Sequence, residues 1–91
     1  MSYVFKTTPS FRKALASLGI EQKRSAKAAF KIFKDNPFDP RLRTHKIHKL
    51  SAIYGKTIYS VWIEGDLRSV FYIDGDMVVS VDIGTHAVYR G

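Results

Sequence analysis

Two glycine-aspartate pairs near the carboxyl end of the chain constrain its fold more than any other feature. They separate short runs of Val, Ile, Tyr, Phe and Trp, which cover residues 58–64, 67–73 and 77–83. In Gly65-Asp66 and Gly75-Asp76 the glycine holds the first central position, which suits a two-residue type II′ turn. The sequence therefore predicts a three-stranded antiparallel meander.

Cross-strand pairing predicts which side chains share a face of this meander. If Glu64 pairs with Leu67 and Asp74 with Met77, the side chains fall into two sets. The first set is mostly aliphatic and is expected to form the core: Tyr59, Val61, Ile63, Arg68, Val70, Tyr72, Val79, Val81 and Ile83. The second set is mixed and is expected to be a binding surface: Ser60, Trp62, Glu64, Ser69, Phe71, Ser80, Asp82 and, at the strand end, His86. On that surface Trp62 and Phe71 are placed to stack a nucleobase beside His86.

A strand and a helical hairpin are predicted ahead of this meander. Residues 3–7 are β-like, Thr8 is a candidate helix N-cap, and Pro9 falls in the first helical turn. Apolar residues at helical spacing then predict two amphipathic helices. We expect Gly19 to end the first helix in the left-handed conformation and Asn36-Pro37 to end the second.

The segment between the helices and the meander completes the predicted architecture. Residues 44–50 alternate enough to form a further strand, so the order is β-α-α-β-β-β-β. The predicted fold class is α+β, with an N-terminal strand and a helical hairpin packed on one face of a mostly antiparallel four- to five-stranded sheet. A chain of 91 residues is expected to form one domain, residues 1–91.

Composition excludes several classes of protein. No apolar run approaches the ~20 residues that a membrane span needs, and the first residues lack the pattern of a signal peptide. The absence of cysteine excludes disulfide bridges, thiol catalysis and Cys-ligated zinc. We therefore expect a cytoplasmic protein with no membrane partner.

The positive charge is concentrated in the first part of the chain. Up to Leu50 there are 12 Lys/Arg against 3 Asp/Glu, and beyond it 3 against 5, so the two parts carry net charges of +9 and −2. Clustered cations favour a polyanion or an acidic protein as partner. A basic, solvated helix surface explains the same pattern, so charge alone leaves both interpretations open.

Two of the three histidines raise the question of a metal site. His45 and His48 are three positions apart, and on a strand such positions point to opposite faces. The two imidazoles therefore share an ion only if this segment is helical. We expect no metal site and no cofactor.

Metal-independent acid/base chemistry on RNA is the alternative use of these histidines. Such cleavage needs a base near the 2′-OH, an acid near the leaving 5′ oxygen, and a cation for the charge that develops on the phosphate. The protonation chemistry is present in His86, His48 and Asp66. Candidate cations are Arg68, Lys46 and Lys49.

The order of motifs in the chain resembles the RelE/ParE superfamily of type II toxins, and within it the YafQ-like ribonucleases. The motifs that carry the resemblance are the two helices, Asn36-Pro37, His48-Lys49-Leu50, the segment 65–73 and Ile83-Gly84-Thr85-His86. The resemblance covers nearly the whole length, and its most specific element is Gly-Thr-His after a strand. It implies an mRNA interferase that acts at the ribosome and is neutralised by an acidic antitoxin encoded beside it.

The same resemblance implies roles for individual residues. His86 corresponds to the main catalytic histidine, His48 and Asp66 belong to the active site, and Arg68 corresponds to the arginine placed on the transition-state phosphate. For Arg68 to reach His86, a bulge or a longer turn near Gly65 is needed, because the predicted register points Arg68 to the core face.

Several positions depart from the pattern of these toxins. Trp62 stands where the YafQ branch has a second active-site histidine, and the lysines of RelE fall on Tyr59 and Val61. The terminal aromatic residue is Tyr89, one position earlier than in the relatives, where Arg90 stands here. Either Tyr89 packs and Arg90 contacts phosphate, or the reverse.

Two other functions fit the same sequence. A ParE-like protein would inhibit DNA gyrase by binding, without cleavage, but such proteins generally lack the histidine that His86 supplies. An RNA- or ribosome-binding module with decayed catalysis is compatible with Trp62 in place of a histidine.

Overall fold

The computed structural model of the protein describes residues 3–85. Along the chain its elements are β1 (Val4–Thr7), α1 (Pro9–Ala16), α2 (Ile20–Asp35), a single 3-10 turn (Pro40–Leu42), β2 (His45–Lys46), α3 (His48–Tyr54), β3 (Tyr59–Glu64), β4 (Leu67–Asp74) and β5 (Met77–Gly84). The sheet has the strand order β1-β5-β4-β3-β2. β1 runs parallel to β5 and the other neighbours are antiparallel. The predicted α+β class with a mostly antiparallel sheet is confirmed.

Both predicted hairpin turns are present. Glu64 pairs with Leu67 and Asp74 pairs with Met77, as the turn chemistry required. Gly65 and Gly75 have φ values of 47° and 62°, which a residue with a side chain rarely adopts. Within residues 3–85 the only non-glycine residue with positive φ is Arg43, so the aspartates that follow the glycines do not form a type I′ turn.

Two bulges overturn part of the predicted facing of side chains. Trp62 lies opposite Arg68 while Glu64 lies opposite Leu67, so Ile63 is an extra residue in β3. Likewise Val70 lies opposite Asp82 while Phe71 lies opposite Ser80, so Val81 is extra in β5. Each bulge shifts the alternation by one residue, which the prediction of unbroken strands missed. One face therefore carries Arg68, Val70, Tyr72, Val79 and Val81 together with Ser60, Trp62 and Asp82. The other face carries Tyr59, Val61, Ile63 and Ile83 together with Glu64, Ser69, Phe71 and Ser80.

Hydrogen bonds from neighbouring elements hold the β5 bulge. The hydroxyl of Thr8 donates to the carbonyl of Val81 at 3.2 Å, and the hydroxyl of Ser69 donates to the carbonyl of Asp82 at 3.1 Å. These carbonyls lie where the ladder to β4 is irregular. Side chains outside β5 therefore satisfy backbone groups at the irregular part of the ladder.

Apolar residues are packed on both faces of the sheet. On the hairpin-side face, α1 and α2 bury side chains against β3, β4 and β5, including Phe11, Ala26, Ala29, Phe33, Val61, Phe71, Val78 and Ile83. On the opposite, α3-side face, Leu50 packs with Ile58, Val70, Val79 and Val81. The sheet is thus the middle of three layers, with the helical hairpin on one side as predicted and α3 on the other.

The first helix begins as predicted but ends differently, and the second helix ends as predicted. The Thr8 hydroxyl accepts the backbone N–H of Phe11 at 3.1 Å, which is the expected N-cap, and Asn36 ends α2. Gly19 has φ −68° and is the N-cap of α2, so the prediction that it ends α1 in the left-handed conformation was wrong. Ser17 ends α1 instead, where its N–H donates to carbonyls of the last turn.

The predicted strand over residues 44–50 is mostly a helix. Only His45 and Lys46 pair with β3, and α3 begins at His48. Ser51 fixes this change of direction, because its hydroxyl donates to the Ile47 carbonyl and accepts the N–H of Ile58, both at 2.8 Å. Ile47, Leu50 and Tyr54 also fit the spacing of one helix face, a signal that the alternation of the first residues obscured.

Among the helices of residues 3–85, none is both long and apolar enough to cross a bilayer.

Candidate functional site

The α3-side face carries a row of residues that the bulge at Ile63 brings into line. Trp62 on β3 lies opposite Arg68 on β4, and Arg68 lies opposite Gly84 on β5. Side chains directly opposite each other in an antiparallel pair have Cβ atoms about 5 Å apart. Trp62 and Arg68 are both half-buried. The bulge near Gly65 that Arg68 needed is therefore present, and Arg68 is not on the hairpin-side core face.

Two side chains of this row hold the β3–β4 turn. The indole N–H of Trp62 donates to the carbonyl of Gly65 at 3.0 Å. The guanidinium of Arg68 donates to the carbonyl of Asp66 at 3.4 Å. Asp66 itself is exposed in this turn. The structure thus brings together three residues of the predicted site, namely Trp62, Asp66 and Arg68.

Arg43 belongs to the same group, although nothing in the sequence beyond its charge indicated this. Its guanidinium carbon lies 4.6 Å from the centre of the Trp62 ring, over the indole. The antiparallel pairing of His45 with Ser60 brings the preceding part of the chain alongside Trp62. The Nδ1 of His45 is 2.9 Å from the carbonyl of Arg43, and since a carbonyl only accepts, this nitrogen carries the proton.

The other predicted residues near β2 are divided between two places. His48 and Lys49 are exposed in the first turn of α3. Lys46 is exposed but lies opposite Tyr59, on the hairpin-side face. Lys46 is therefore separated from Arg68 by the sheet.

His45 and His48 do not lie on one strand, since His45 is in β2 and His48 begins α3. Within residues 3–85 no three His, Cys, Asp or Glu side chains are grouped closely enough to hold a metal ion.

Phe71 is not part of the binding surface on which it was predicted. Its ring is buried on the hairpin-side face, 5.0 Å from the ring of Phe33 and in edge-to-face contact with it. The bulge at Ile63 accounts for this error, because it pairs Phe71 with Tyr59 and so puts Phe71 on the face opposite Trp62. His86, Tyr89 and Arg90 lie outside the described residues, which end one residue after Gly84.

An ion pair stands just before Arg43 in the chain. The guanidinium of Arg41 donates from two nitrogens to the carboxylate of Asp39, at 3.0 and 2.9 Å. These hydrogen bonds, together with the backbone N–H of Arg41, lower the pKa of Asp39 from 3.8 to about 2. The same partner raises the pKa of Arg41.

A groove lies between α1 and α2, away from the α3-side face. Its volume is about 740 Å³. The apolar lining residues are Leu15, Ala16, Ala26 and Phe30, and the basic ones are Arg12, Lys23, Lys27, Lys31 and Lys34. No acidic residue lines it within the described chain. The groove therefore combines an apolar floor with a cationic rim.

Comparison with known proteins gives a clear result only for structure. No protein-family model and no curated protein sequence matches the chain. The archaeal RelE–RelB complex from Pyrococcus horikoshii OT3 contains a chain with a TM-score of 0.70 and 17% identity, covering 93% of this chain and 96% of that one. The E. coli DinJ–YafQ toxin-antitoxin complex gives a TM-score of 0.71 and 15% identity over 100% of both chains.

The YoeB dimer from Staphylococcus aureus is similar as well, with a TM-score of 0.69 and 13% identity over 94% of this chain and 99% of that one. At these identities the shared property is the fold. The chain has the fold of RelE, YafQ and YoeB, and the RelE-like fold predicted from the sequence is confirmed.

Proposed function

We propose that this chain is the toxin of a type II toxin-antitoxin system and cleaves mRNA, on the ribosome, as a metal-independent endoribonuclease. The observation that carries the proposal is the row Trp62, Arg68 and Gly84 on the α3-side face. In this row the guanidinium-bearing Arg68 lies opposite Gly84, and Gly84 comes two residues before His86 in the sequence. The RelE-like fold supports the same function. A ribosome-bound substrate also places the proposed action in the cytoplasm.

The proposed reaction is an attack of the ribose 2′ oxygen on the adjacent phosphorus with loss of the 5′ oxygen. The 2′-OH gives its proton to a base, and an acid returns a proton to the leaving oxygen, so no metal is required. His86 is the main proton-transfer residue in this proposal, and Asp66 and His48 are the other candidates. Arg68 stabilises the extra negative charge on the phosphate in the transition state.

RNA-binding roles are proposed for residues around this centre. Lys49 lies beside His48 in the first turn of α3, and Trp62 flanks Arg68. Lys46 is a peripheral phosphate contact at most, because it lies on the hairpin-side face. Tyr89 and Arg90 follow His86 in the sequence and retain the two predicted roles, packing and phosphate contact.

His86→Ala tests the proposed chemistry. We expect the variant to lose message cleavage by a factor on the order of 10² to 10⁴, because it lacks the proposed acid/base group. Cleavage is measured by translating a defined message in vitro and mapping the ends of the fragments by primer extension. Circular dichroism and the Tm check that the variant is folded.

Lys13→Ala is the control, since Lys13 is exposed on α1 on the other side of the sheet and is expected to leave cleavage unchanged. Cleavage by His86→Ala at the rate of the unmodified protein would refute the catalytic assignment. If the unmodified protein cleaves no message but inhibits supercoiling by DNA gyrase, the ParE-like function is correct instead. Ribosome binding with neither activity would favour the decayed module.

An acidic antitoxin is the proposed protein partner, and the groove between α1 and α2 is its proposed docking site. Two of the similar structures are complexes with RelB and DinJ. An amphipathic helix would bury its apolar side against Leu15, Ala26 and Phe30, and its carboxylates would face the lysines of α2. We therefore prefer a helix in this groove to strand addition at a sheet edge.

A further inference from the structure

Arg43 adopts a backbone conformation that costs free energy. Its φ of 50° and ψ of 39° lie in the left-handed region, where it ends the 3-10 turn. Residues other than Gly, Asn and Asp rarely occupy this region because the Cβ crowds the following carbonyl. Leu42, which is buried, and the pairing of His45 with Ser60 hold the chain on either side of Arg43. Strain of this kind persists only where the surroundings enforce it, and it is concentrated at functional sites.

The side chain of Arg43 contacts one aromatic ring. Its guanidinium lies over the indole of Trp62, at 4.6 Å from the ring centre. The indole is in turn fixed, since its N–H donates to the Gly65 carbonyl. A cation over an aromatic face is attracted by the ring without using its N–H donors. No hydrogen bond to a residue between 3 and 85 uses those donors, and Arg43 is exposed, so they can reach a ligand.

The neighbouring Arg41 differs from Arg43 because its guanidinium forms an ion pair within the chain. Both of its contacts to Asp39 are charge-assisted hydrogen bonds within one ion pair. Within residues 3–85 no carboxylate pairs with Arg43. Two arginines separated by one residue therefore differ in whether their positive charge is already compensated.

We propose that Arg43 binds a backbone phosphate of single-stranded RNA, and that Trp62 positions its guanidinium for this contact. The inference rests on the proposed ribonuclease function and names a substrate contact of the same site. Trp62 lies opposite Arg68 on the α3-side face. Arg43 therefore holds a phosphate beside the one at Arg68, and the two cations fix the path of the chain across the indole. Arginine suits this role because its planar donors match phosphate oxygens.

This assignment changes the role of Trp62 from a base-stacking platform to a positioning residue. One face of the indole is covered by Arg43. The position that corresponds to a second active-site histidine in the YafQ branch then contributes to substrate binding rather than to proton transfer.

The test uses a fluorescent single-stranded oligonucleotide of mixed sequence with 2′-O-methyl groups, which cannot undergo the proposed cleavage. Its Kd is measured at several salt concentrations for the unmodified protein, Arg43→Asn and Arg41→Asn. Asn suits the left-handed conformation, so Arg43→Asn is expected to have an unchanged or higher Tm. We expect Arg43→Asn to weaken binding about tenfold and to reduce the slope of log K against log salt by about 0.7, the value for one lost phosphate contact.

Arg41→Asn removes the same formal charge from a guanidinium that Asp39 already holds, and is expected to leave the slope unchanged. Trp62→Phe should preserve most of the binding through its aromatic face, whereas Trp62→Leu should lose as much as Arg43→Asn. Equal effects of Arg43→Asn and Arg41→Asn, or an unchanged slope for Arg43→Asn, would overturn the inference. So would a Trp62→Leu variant that binds like the unmodified protein.

Failure of this inference is distinguishable from failure of the proposed function. If the unmodified protein binds the oligonucleotide with an Arg43-dependent slope but cuts no message, the contact is real and the nuclease assignment is wrong. If the protein cuts messages and Arg43→Asn cuts them with unchanged KM and kcat, the nuclease assignment holds and Arg43 has no part in it.

Discussion

A single carboxylate, that of Asp39, determines which arginine near the candidate site is already paired. Asp39 accepts hydrogen bonds from the backbone N–H and the guanidinium of Arg41, so the two charges stabilise the 3-10 turn by pairing with each other. Arg43 lies beyond the reach of that pair and meets an aromatic face instead. The formal charge of a residue therefore does not identify it as a ligand contact. What distinguishes Arg43 from Arg41 is the group that each guanidinium already contacts.

The Asp39–Arg41 pair gives the protein a pH-dependent contribution to stability. Because the pKa of Asp39 falls from 3.8 to about 2 on folding, the contribution is fully present above about pH 4 and is lost as the pH falls through 2. Asp39→Asn is therefore expected to lower the free energy of unfolding at about pH 6, with the difference from the unmodified protein disappearing near pH 2. Urea denaturation at both pH values measures the difference.

Arg41→Ala supplies the control for this prediction, because it removes the main cause of the lowered pKa. In the Arg41→Ala background, Asp39→Asn should cost little at any pH. A difference that is the same near pH 6 and near pH 2 would mean that the ion pair is not its source.

Irregularities in the strands determine which side chains face the candidate site. Without the extra residue Ile63, the alternation along β3 and β4 would place Arg68 with Val61 in the hairpin-side core. The bulge turns Arg68 to the α3-side face, while Ile63 itself is buried on the hairpin side. One additional residue thus separates the core function of these strands from their proposed substrate contact.

The short helix α3 depends on one buried side chain. Leu50 is 1% exposed and packs against Ile58, Val70 and Val79, whereas Ile53 on the same helix is 56% exposed. Leu50→Ala is expected to lower the free energy of unfolding by about 2 to 5 kcal/mol, because it leaves a cavity above the sheet. Ile53→Ala should change it by less than about 0.5 kcal/mol.

Urea denaturation of both variants measures these values. Equal, small effects would show that α3 does not seal the α3-side face. His48 and Lys49 lie in the first turn of α3, so Leu50→Ala should also disturb the proposed contacts of these two residues with RNA.

The whole molecule presents two different surfaces on opposite sides of one sheet. The α3-side face carries Trp62 and Arg68 in a cross-strand row, with Arg43 over the indole. The helical hairpin carries the groove with lysines along its rim. Much of the excess of positive charge in the first part of the chain therefore surrounds the proposed antitoxin groove, not the proposed catalytic residues.

Charge reversal in the groove tests the proposed partner. Lys27 and Lys31 lie one helical turn apart on α2 and both line the groove. The double variant Lys27→Glu, Lys31→Glu is expected to weaken binding of the proposed acidic antitoxin about tenfold or more, and more strongly at low salt. Calorimetry measures the Kd, and rescue of growth on co-expression measures neutralisation.

Lys13→Glu, Lys56→Glu is the matched control, since it makes the same change in net charge at two exposed residues outside the groove. It should weaken binding much less. If both double variants weaken binding equally, the partner responds to overall charge and the groove is not its docking site.

Features that depend on a few neighbouring residues could be predicted from the amino-acid sequence alone. Gly65 and Gly75 specified the turns because their φ values suit few other residues, Thr8 specified the start of α1 through its own hydroxyl, and the spacing of apolar residues specified α1, α2 and the meander. The Gly-Thr-His motif indicated the RelE-like fold.

Three features could be read only from the folded chain: the facing of Arg68 and Phe71, the helix at 48–54 and the contact of Arg43 with Trp62. Each of these depends on contacts between different elements of the fold. The β5 bulge, which brings Gly84 opposite Arg68, accepts a hydrogen bond from Thr8. The hydroxyl of Ser51 in α3 accepts the N–H of Ile58, and the pairing of β2 with β3 brings Arg43 to Trp62. Local patterns select the elements, but the packing between elements sets the register, and the register decides which side chains meet at the site.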